Sequence, residues 1–207
     1  MDLTGGLTDR IYGKRKAALL GPLQGDVLEI GPGPGVNLKY FSPSVRWIGV
    51  EPNIHARAKI SERAAHLGMR AEALTGTAEK LALDDSSVDV AVATLVLCSV
   101  DDVAVTLAEI LRVLRPGGSC VFIEHVAAER GTQLRRFQDA INPIWRVCAD
   151  GCNANRETAR FIAEAGFDGM NIEQFRVSSP MIHLAPHIAG TAKKSDLARG
   201  GAADERQ

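Results

Sequence analysis

Hydrophobic residues along the chain fall into short continuous runs, with segments of helical spacing between them. The clearest runs are Val27–Ile30, Arg46–Val50, Val88–Leu97 and Ser119–Ile123. Each ends at glycine, proline or polar residues and lacks the alternation of a half-exposed strand, so each predicts a strand buried on both faces of a parallel sheet. A further strand is expected near Arg70–Leu74, between the second and third of these runs.

The segments between the runs carry apolar residues three and four positions apart, which is typical of amphipathic helices. They are Thr8–Leu20, Asn53–His66, Val103–Leu114 and Thr132–Ala165, the last with an expected interruption near Asn142-Pro143. Asp101 or Asp102 is suited to cap the start of the third helix, and Pro116 ends it. Alternating strands and helices predict a doubly wound, Rossmann-like α/β fold.

The end of the chain changes character twice. Gly166–Val177 and Met181–Ile188 suggest two last strands that form an antiparallel edge, which completes a mostly parallel, seven-stranded sheet. From Thr191 the residues are small, polar and charged, which indicates a disordered tail. We therefore predict an N-terminal helix or lid over residues 1–24, one α/β domain over 25–190, and a disordered tail over 191–207.

Composition narrows the class of protein. The chain has 207 residues, 45% hydrophobic and 24% charged, with a formal net charge of −1. These values suit one globular domain and give no global field that would attract nucleic acid or an anionic membrane. We see no signal peptide and no apolar run long enough to cross a bilayer, so we expect a cytoplasmic protein without a membrane span. Composition says nothing about oligomeric state.

The four cysteines, at positions 98, 120, 148 and 152, show no paired spacing of the kind found in zinc sites or disulfide frameworks. Two of them lie four residues apart, but two thiols do not complete a metal site. The sequence therefore predicts no bound metal.

The first predicted strand runs into the glycine-rich segment Glu29–Gly35. Glycine permits positive φ and close approach of the backbone to a ligand. A dinucleotide loop would place its third glycine where Val36 stands. The pattern is instead acid-x-G-x-G-x-G, and it resembles motif I of the class I methyltransferases, whose glycines hold the methionine part of S-adenosylmethionine. The residues assigned to this contact are Glu29, Gly31, Pro32, Gly33 and Gly35.

An acidic residue follows the second predicted strand. Glu51 lies 20 positions after Gly31, and a carboxylate at this place can accept hydrogen bonds from both ribose hydroxyls of a nucleoside. Pro52 and Asn53 come directly after it and are assigned to the same part of the cofactor.

Three further segments leave the ends of the later strands. In the methyltransferases that the chain resembles, the turn at Thr77, Ala78 and Glu79 holds the adenine ring. Many relatives carry Asp where Thr77 stands, so the Ala78 backbone is the expected contact. The residues Thr94, Leu95 and Ser99 should pass beneath the sulfonium, and Glu124-His125 leaves the fifth strand. Because open α/β sheets bind ligands along the carboxyl edge of their strands, these segments predict one shared site.

Several longer runs resemble the alkyl-thiol S-methyltransferases over roughly residues 25–190. The runs are Thr94–Val100, Arg112–Gly118, Glu124–Glu129, Asp150–Asn153, Arg156-Glu157 and Pro186–Ile188, together with Trp145. Glu124–Glu129 combined with Asp150–Asn153 is the most specific of these. The resemblance implies methyl transfer from S-adenosylmethionine to the thiol of a small molecule. Animal members carry an N-terminal membrane-associating segment, and this chain starts almost at the fold, so we do not expect membrane attachment.

The resemblance also suggests which residues surround the acceptor. His125 is the candidate base or thiolate partner, and Asp150 and His187 are second candidates, either of which would orient His125. Cys152 is assigned to packing, because class I methyl transfer needs no covalent enzyme intermediate. Four residues of the predicted helix would either cover an apolar acceptor pocket or serve as ordinary core, namely Phe137, Ile141, Ile144 and Trp145.

Three alternatives remain open from the residues alone. The first is an O- or C-methyltransferase of a quinone or natural-product pathway, which would share the same cofactor motifs. The second is a nicotinamide-dependent oxidoreductase, which Val36 in the third glycine position disfavours. The third is a cofactor-binding protein without catalysis, which the intact loop and the intact Glu124-His125 disfavour.

Overall fold

The computed structural model describes residues 3–177 and 186–196, with side chains from residue 9 onward. The strands in chain order are β1 (Asp26–Ile30), β2 (Arg46–Val50), β3 (Arg70–Leu74), β4 (Val88–Thr94), β5 (Leu114–His125), β6 (Gly169–Arg176) and β7 (Pro186–Lys193). The helices are α1 (Leu3–Leu20), α2 (Ile54–Leu67), α3 (Val103–Val113), α4 (Gln133–Cys148) and α5 (Thr158–Glu164), with a short 3-10 helix at Leu38–Tyr40.

The strands form one seven-stranded sheet in the order β3-β2-β1-β4-β5-β7-β6. β1 to β5 run parallel, and β7 pairs antiparallel with both β5 and β6. The doubly wound fold with an antiparallel edge is therefore confirmed. The chain leaves β1 toward β2 on one side, while β4 lies on the other side of β1. The loops after β1 and β4 thus diverge and leave a crevice at the carboxyl edge, where such sheets bind ligands.

The parallel strands are buried because helices cover both faces of the sheet. α3 contributes the fully buried residues Leu107 and Ile110, at the spacing that the sequence predicted. Its first turn is capped by Asp102, whose carboxylate accepts a hydrogen bond from the backbone N–H of Val105 at 3.1 Å. The core therefore fixes the strand ends, and with them the loops that carry the chemistry.

The predicted helix break near Asn142-Pro143 is wrong. α4 continues through Pro143 to Cys148, and the interruption comes only at residues 149–157. A proline inside a helix removes one backbone hydrogen bond. Pro143 lies on an exposed part of α4, so solvent can bond the carbonyl that loses its partner. The break itself has Asp150 and Gly151 at φ of 50° and 80°, both in the left-handed region.

The C-terminal end also differs from expectation. The second predicted edge strand, Met181–Ile188, overlaps β7 only from Pro186, and residues 181–185 lie outside the described residues. Thr191–Lys193 belongs to β7 rather than to a disordered tail, because its backbone pairs with β5 on one side and β6 on the other. Small polar residues thus form a central strand here through backbone hydrogen bonds. Residues 197–207 lie outside the described residues, and the predicted domain boundaries stay predictions.

Among the helices of the described residues, none combines the length and the apolar character that a membrane crossing requires. The cytoplasmic location stays a prediction.

Candidate active site

A cavity of about 1040 Å³ opens at the carboxyl edge of the parallel strands. Its volume is at the upper end of the range of small-molecule sites, so it has room for a nucleoside-sized cofactor and a small acceptor together. Most of the predicted site residues line it, namely Gly31, Gly33, Glu51, Pro52, Asn53, Thr77, Ala78, Glu79, Leu95, Ser99, His125, Asp150 and His187.

The glycine-rich loop forms the floor of this cavity at the end of β1. Gly31, Gly33 and Gly35 have φ of 56°, 54° and 75°, a conformation that L side chains rarely adopt. A Cβ at Gly31 would come within 2.5 Å of Cγ2 of Val96, so only glycine fits between the loops after β1 and β4. A Cβ at Gly33 would meet no protein atom within 4 Å, because that position faces open space. The loop therefore forms an open glycine cradle, a space bordered by its backbone in which a cofactor can lie.

Glu51 joins this loop to the end of β2. Its side chain is buried, and its two oxygens accept hydrogen bonds from the backbone N–H groups of Gly33 and Asn53, each at 2.9 Å. Asn53 in turn caps α2 through its own side chain. A carboxylate has about four acceptor positions, so two remain for ligand hydroxyls. These residues therefore fit a ribose at this wall.

Glu79 has a different role from the neighbouring residues of its turn. Its Oε1 accepts a hydrogen bond from the backbone N–H of Asp101 at 2.9 Å, which ties the turn after β3 to the loop after β4. Ala78 is nearly buried beside it and lines the cavity, so the backbone of this turn is available to a ligand.

Four residues predicted to bind the cofactor do not line the cavity, namely Glu29, Pro32, Gly35 and Thr94. The Glu29 side chain points into the interior, where its oxygens accept hydrogen bonds from Asn37 Nδ2 at 2.7 Å and Trp47 Nε1 at 2.9 Å. Burial raises the pKa of Glu29 to about 7, against the opposing effect of these two bonds. Glu29 therefore braces the loop from behind.

Two of the other three residues are occupied by packing. Pro32 lies against Gly49 of β2, and Gly35 faces Leu38 and Ile60. The hydroxyl of Thr94 is buried without a hydrogen-bond partner among the described residues. The motif therefore positions the loop with some residues and exposes others to the cavity, and sequence alone does not separate the two groups.

At the opposite end of the cavity, beyond β4, the side chains of Cys98, His125 and Cys152 lie together. His125 Nε2 is 2.7 Å from Cys152 Sγ, and Trp145 Nε1 donates to the same sulfur at 3.3 Å. Cys98 Sγ completes the group, in which all three ligand-capable atoms of Cys98, His125 and Cys152 lie within 4.8 Å of one another. All three residues line the cavity.

The cluster favours a negatively charged sulfur. A hydrogen bond from Cys98, supported by His125 and Trp145, lowers the pKa of Cys152 to about 4 in spite of burial. Burial opposes the charged form of His125, but the bond to Cys152 outweighs it and raises the pKa of the imidazole. The Cys98 pKa is raised because its thiol donates to Cys152 and is itself buried. The surroundings of Cys152 therefore favour its thiolate form, with the His125 ring bonded to it.

The loop after α4 brings Cys152 to this place. Arg156 Nη1 donates to the carbonyl oxygens of Leu97 at 2.8 Å and Val100 at 2.5 Å. The backbone N–H and the side-chain amide of Asn153 both donate to the carbonyl of Cys98, at 2.9 and 3.0 Å. These bonds fasten the loop at 149–157 to the loop after β4, so both cysteines have fixed positions.

The loop after β4 is itself held in a strained shape. Leu95 has φ of 55°, which is unusual for a residue other than glycine. The buried carboxylate of Glu124 accepts hydrogen bonds from the backbone N–H groups of Val96 at 2.9 Å and Leu97 at 3.0 Å. Burial raises the pKa of Glu124 to about 7, although these bonds oppose the shift. Glu124 therefore shapes the loop that carries Cys98.

Of the two predicted partners, His187 lies against His125: the two residues pair across β5 and β7, and their rings meet edge to face with centroids 6.2 Å apart. The hydroxyl of Tyr12 bonds His187 Nε2 at 2.8 Å, and the His187 ring stacks on Phe175. Asp150 is exposed. The second ring nitrogen of His125, Nδ1, is buried and has no hydrogen-bond partner among the described residues. The bond from Nε2 to Cys152 therefore holds the ring together with the His187 contact.

Sequence reasoning missed several wall residues. Tyr12 of α1 was not predicted to line the site, because it lies far from every motif in the sequence. Cys152 was assigned to packing and Cys98 received no role of its own; 54 positions separate them, so no local spacing connects the two thiols. Of the predicted apolar cover, Phe137, Ile141 and Trp145 line the cavity, whereas Ile144 is 71% exposed and does not.

The chain is similar to known methyltransferases. Residues 28–122 match the family model described as a methyltransferase domain. The human protein named thiol S-methyltransferase TMT1A is 36% identical over 171 residues, which cover 81% of this chain and 70% of that protein. The rat thiol S-methyltransferase TMT1B is 35% identical over the same shares of both chains.

A solved structure shows the same fold. The geranyl diphosphate C-methyltransferase from Streptomyces coelicolor A3(2), solved with S-adenosyl-L-homocysteine, matches with a TM-score of 0.71 at 17% identity, over 89% of this chain and 80% of that one. Together with the open glycine cradle and Glu51, the methyltransferase family model and the methyltransferase relatives identify S-adenosylmethionine as the methyl donor. The chain is an S-adenosylmethionine-dependent methyltransferase, and it belongs to the family of the thiol S-methyltransferases TMT1A and TMT1B.

Proposed function

We propose that this enzyme methylates the sulfur of a small-molecule thiol. The geometric observation that carries the proposal is the His125–Cys152 contact of 2.7 Å, which lies in the cavity wall and favours a sulfur anion. The activity named for the relatives, at 36% identity over most of the chain, supports the same acceptor chemistry.

The two ends of the cavity have different roles in this proposal, one for the cofactor and one for the acceptor. We infer that Gly31, Gly33 and the Ala78 backbone hold the methionine and adenine parts of the cofactor, while Glu51 accepts from the ribose hydroxyls. When bound, S-adenosylmethionine supplies a methyl group on a positively charged sulfur. Because the sheet order puts β5 on the far side of β4 from β1, His125 faces the cavity from the acceptor end. An acceptor between the two ends would lie beside the methyl group of the cofactor.

Positioning supplies most of the rate enhancement in this proposal. Alignment of two bound reactants contributes about 7–11 kcal/mol. Proton removal contributes less, because a thiol of pKa about 8.5 is already a few per cent ionised at pH 7, which leaves about 30-fold for a general base. His125 is placed to act as a partner of the acceptor sulfur, since it lies in the cavity wall and its Nε2 contacts the sulfur of Cys152 at 2.7 Å.

The cavity walls fit a compact apolar acceptor. Phe137, Ile141 and Trp145 present apolar surface from α4, and Trp145 also directs its N–H at the cysteine sulfur. Desolvation by such walls strengthens the contact between an acceptor anion and the cationic donor.

An acceptor panel tests this function. The full chain is incubated with S-adenosylmethionine and either a simple alkyl thiol, a phenol or a primary amine of similar size, and the methylated product and S-adenosylhomocysteine are quantified by mass spectrometry. We expect thioether formation well above that of ether or N-methyl product. Methylation of the phenol or amine with no thioether would refute the thiol assignment and favour an O- or N-methyltransferase instead.

A further inference from the structure

We propose that Cys98, His125 and Cys152 form a site for a zinc ion with one coordination position open to the cavity. The metal site stands on the geometry of these three side chains. Its use in catalysis rests on the proposed function, because the open position would take the sulfur of the acceptor thiol.

The ligand set is the first support. Two thiolates and one imidazole are typical zinc ligands, and three protein ligands with a fourth position free are typical of catalytic zinc sites. The three segments that supply them are far apart in sequence, at the ends of β4 and β5 and in the loop after α4. The fold therefore brings together soft donors that no local motif connects.

Distances support the same conclusion. Zinc holds sulfur at about 2.3 Å and nitrogen at about 2.0 Å, so tetrahedral ligand atoms stand roughly 3.6–3.8 Å apart. The separations in the trio run from 2.7 Å, between His125 Nε2 and Cys152 Sγ, to no more than 4.8 Å. Shifts of about 1 Å would place all three on one zinc ion.

The surroundings match those of a metal centre. Trp145 Nε1 donates to Cys152 Sγ at 3.3 Å, as outer-shell donors do toward metal-bound thiolates. Both loops that carry the cysteines are rigid, since Arg156 and Asn153 fasten one to the other, and Leu95 and Asp150 hold left-handed backbone next to them. Because all three ligands line the cavity, the remaining coordination position faces the space for substrate.

The reaction at such a site balances without a further reagent. The acceptor thiol loses its proton to water as its sulfur becomes the fourth ligand, since a coordinating thiol is deprotonated by zinc. The bond between that sulfur and the methyl carbon forms while the carbon–sulfur bond of the sulfonium breaks. The products are a neutral thioether, which is a poorer ligand than a thiolate and leaves, and S-adenosylhomocysteine.

Cobalt(II) titration of the metal-depleted full chain tests the site without reference to activity. Thiolate ligation and tetrahedral geometry give cobalt intense absorption bands. We expect one equivalent to bind with both features, and zinc to displace it. Cys98→Ser and Cys152→Ser should each weaken binding by about 100-fold or more, since even outer-shell changes cost 10–100-fold. Cys148→Ser is the matched control, because that thiol is exposed and outside the cavity, and it should bind cobalt as the parent does.

The absence of thiolate bands in the wild type would overturn the site, as would a cobalt affinity in both serine variants equal to that of the wild type. Calorimetry with S-adenosylhomocysteine checks that each variant is folded, and His125→Asn gives a third variant if one serine variant fails that check.

Activity then separates the two proposals. If metal-depleted enzyme methylates a thiol as fast as zinc-loaded enzyme, the catalytic zinc is refuted and the thiol function stands. If cobalt binds through the trio but no thiol is methylated, the thiol function fails and the metal site stands.

Discussion

Replacing Glu51 with alanine tests the assignment of the cofactor to the glycine cradle. The carboxylate is buried at the end of β2, and its two oxygens already accept hydrogen bonds from Gly33 and Asn53 at 2.9 Å. Two acceptor positions remain on this carboxylate for a ligand, and the residue lines the cavity. The variant therefore removes both proposed ribose contacts and the brace between two loops.

The magnitude follows from the type of bond. A hydrogen bond to a charged group contributes about 1.5–3 kcal/mol. Two such bonds to ribose, partly replaced by water or by the freed N–H groups, give a net loss of about 3 kcal/mol, or roughly 100-fold in Kd. Glu51→Gln keeps one carbonyl oxygen as acceptor, so it should lose about half of that free energy, or roughly 10-fold.

Calorimetry with both S-adenosylmethionine and S-adenosylhomocysteine provides the assay. If Glu51 binds ribose, the two ligands lose affinity equally, because they share that sugar. If it acts only by attracting the sulfonium charge, S-adenosylmethionine alone is affected. Glu62→Gln removes the same charge from an exposed position on α2 and should change neither value. A folded Glu51→Ala protein that binds S-adenosylhomocysteine as tightly as the wild type would refute the ribose assignment.

Three further substitutions test other parts of the site. His125→Ala should slow thiol methylation by about 10-fold or more at pH 7 with cofactor affinity nearly unchanged, because it removes a hydrogen bond to a sulfur atom that favours negative charge, which contributes about 1.5 kcal/mol or more. Turnover equal to that of the wild type across pH would remove His125 from the reaction. Glu29→Gln should flatten the pH dependence of stability. In the wild type the pKa of the buried Glu29 carboxyl is raised from 4.5 to about 7, so its contribution to stability is complete below pH 4.5 and is lost as pH rises through 7. Denaturant unfolding at pH 5 and pH 8 measures this pH dependence. A variant whose unfolding free energy changes between the two pH values as much as that of the wild type would contradict the prediction. Tyr12→Phe leaves His187 Nε2 without its hydroxyl partner and should cost about 1–3 kcal/mol in unfolding free energy, so an unchanged thermal midpoint would contradict a structural role for that bond.

The parallel half of the fold was predictable because its physical causes are local. Buried strands need continuous apolar runs, and these runs, bounded by turn residues, match β1, β2 and β4 closely. The antiparallel edge was harder to predict. β7 contains Gly190, where a Cβ would meet the carbonyl oxygen of Asn171 at 1.9 Å, and Thr191, which looked like the start of a tail. Backbone pairing on both sides, rather than side-chain character, makes this segment a strand.

The cofactor end of the site was easier to predict from the sequence than the acceptor end. Strand ends converge at one edge of the sheet by topology, so Gly31, Glu51 and His125 were predictable once the strands were. Cys152 reaches the site because Arg156 and Asn153 bond carbonyl oxygens of the loop after β4, and every residue type offers a carbonyl oxygen. Because these hydrogen bonds end on backbone oxygens, the residue types at the acceptor positions do not reveal them in the sequence. The acceptor chemistry therefore had to come from family resemblance, while the pairing of the two thiols with the imidazole could come only from the three-dimensional structure.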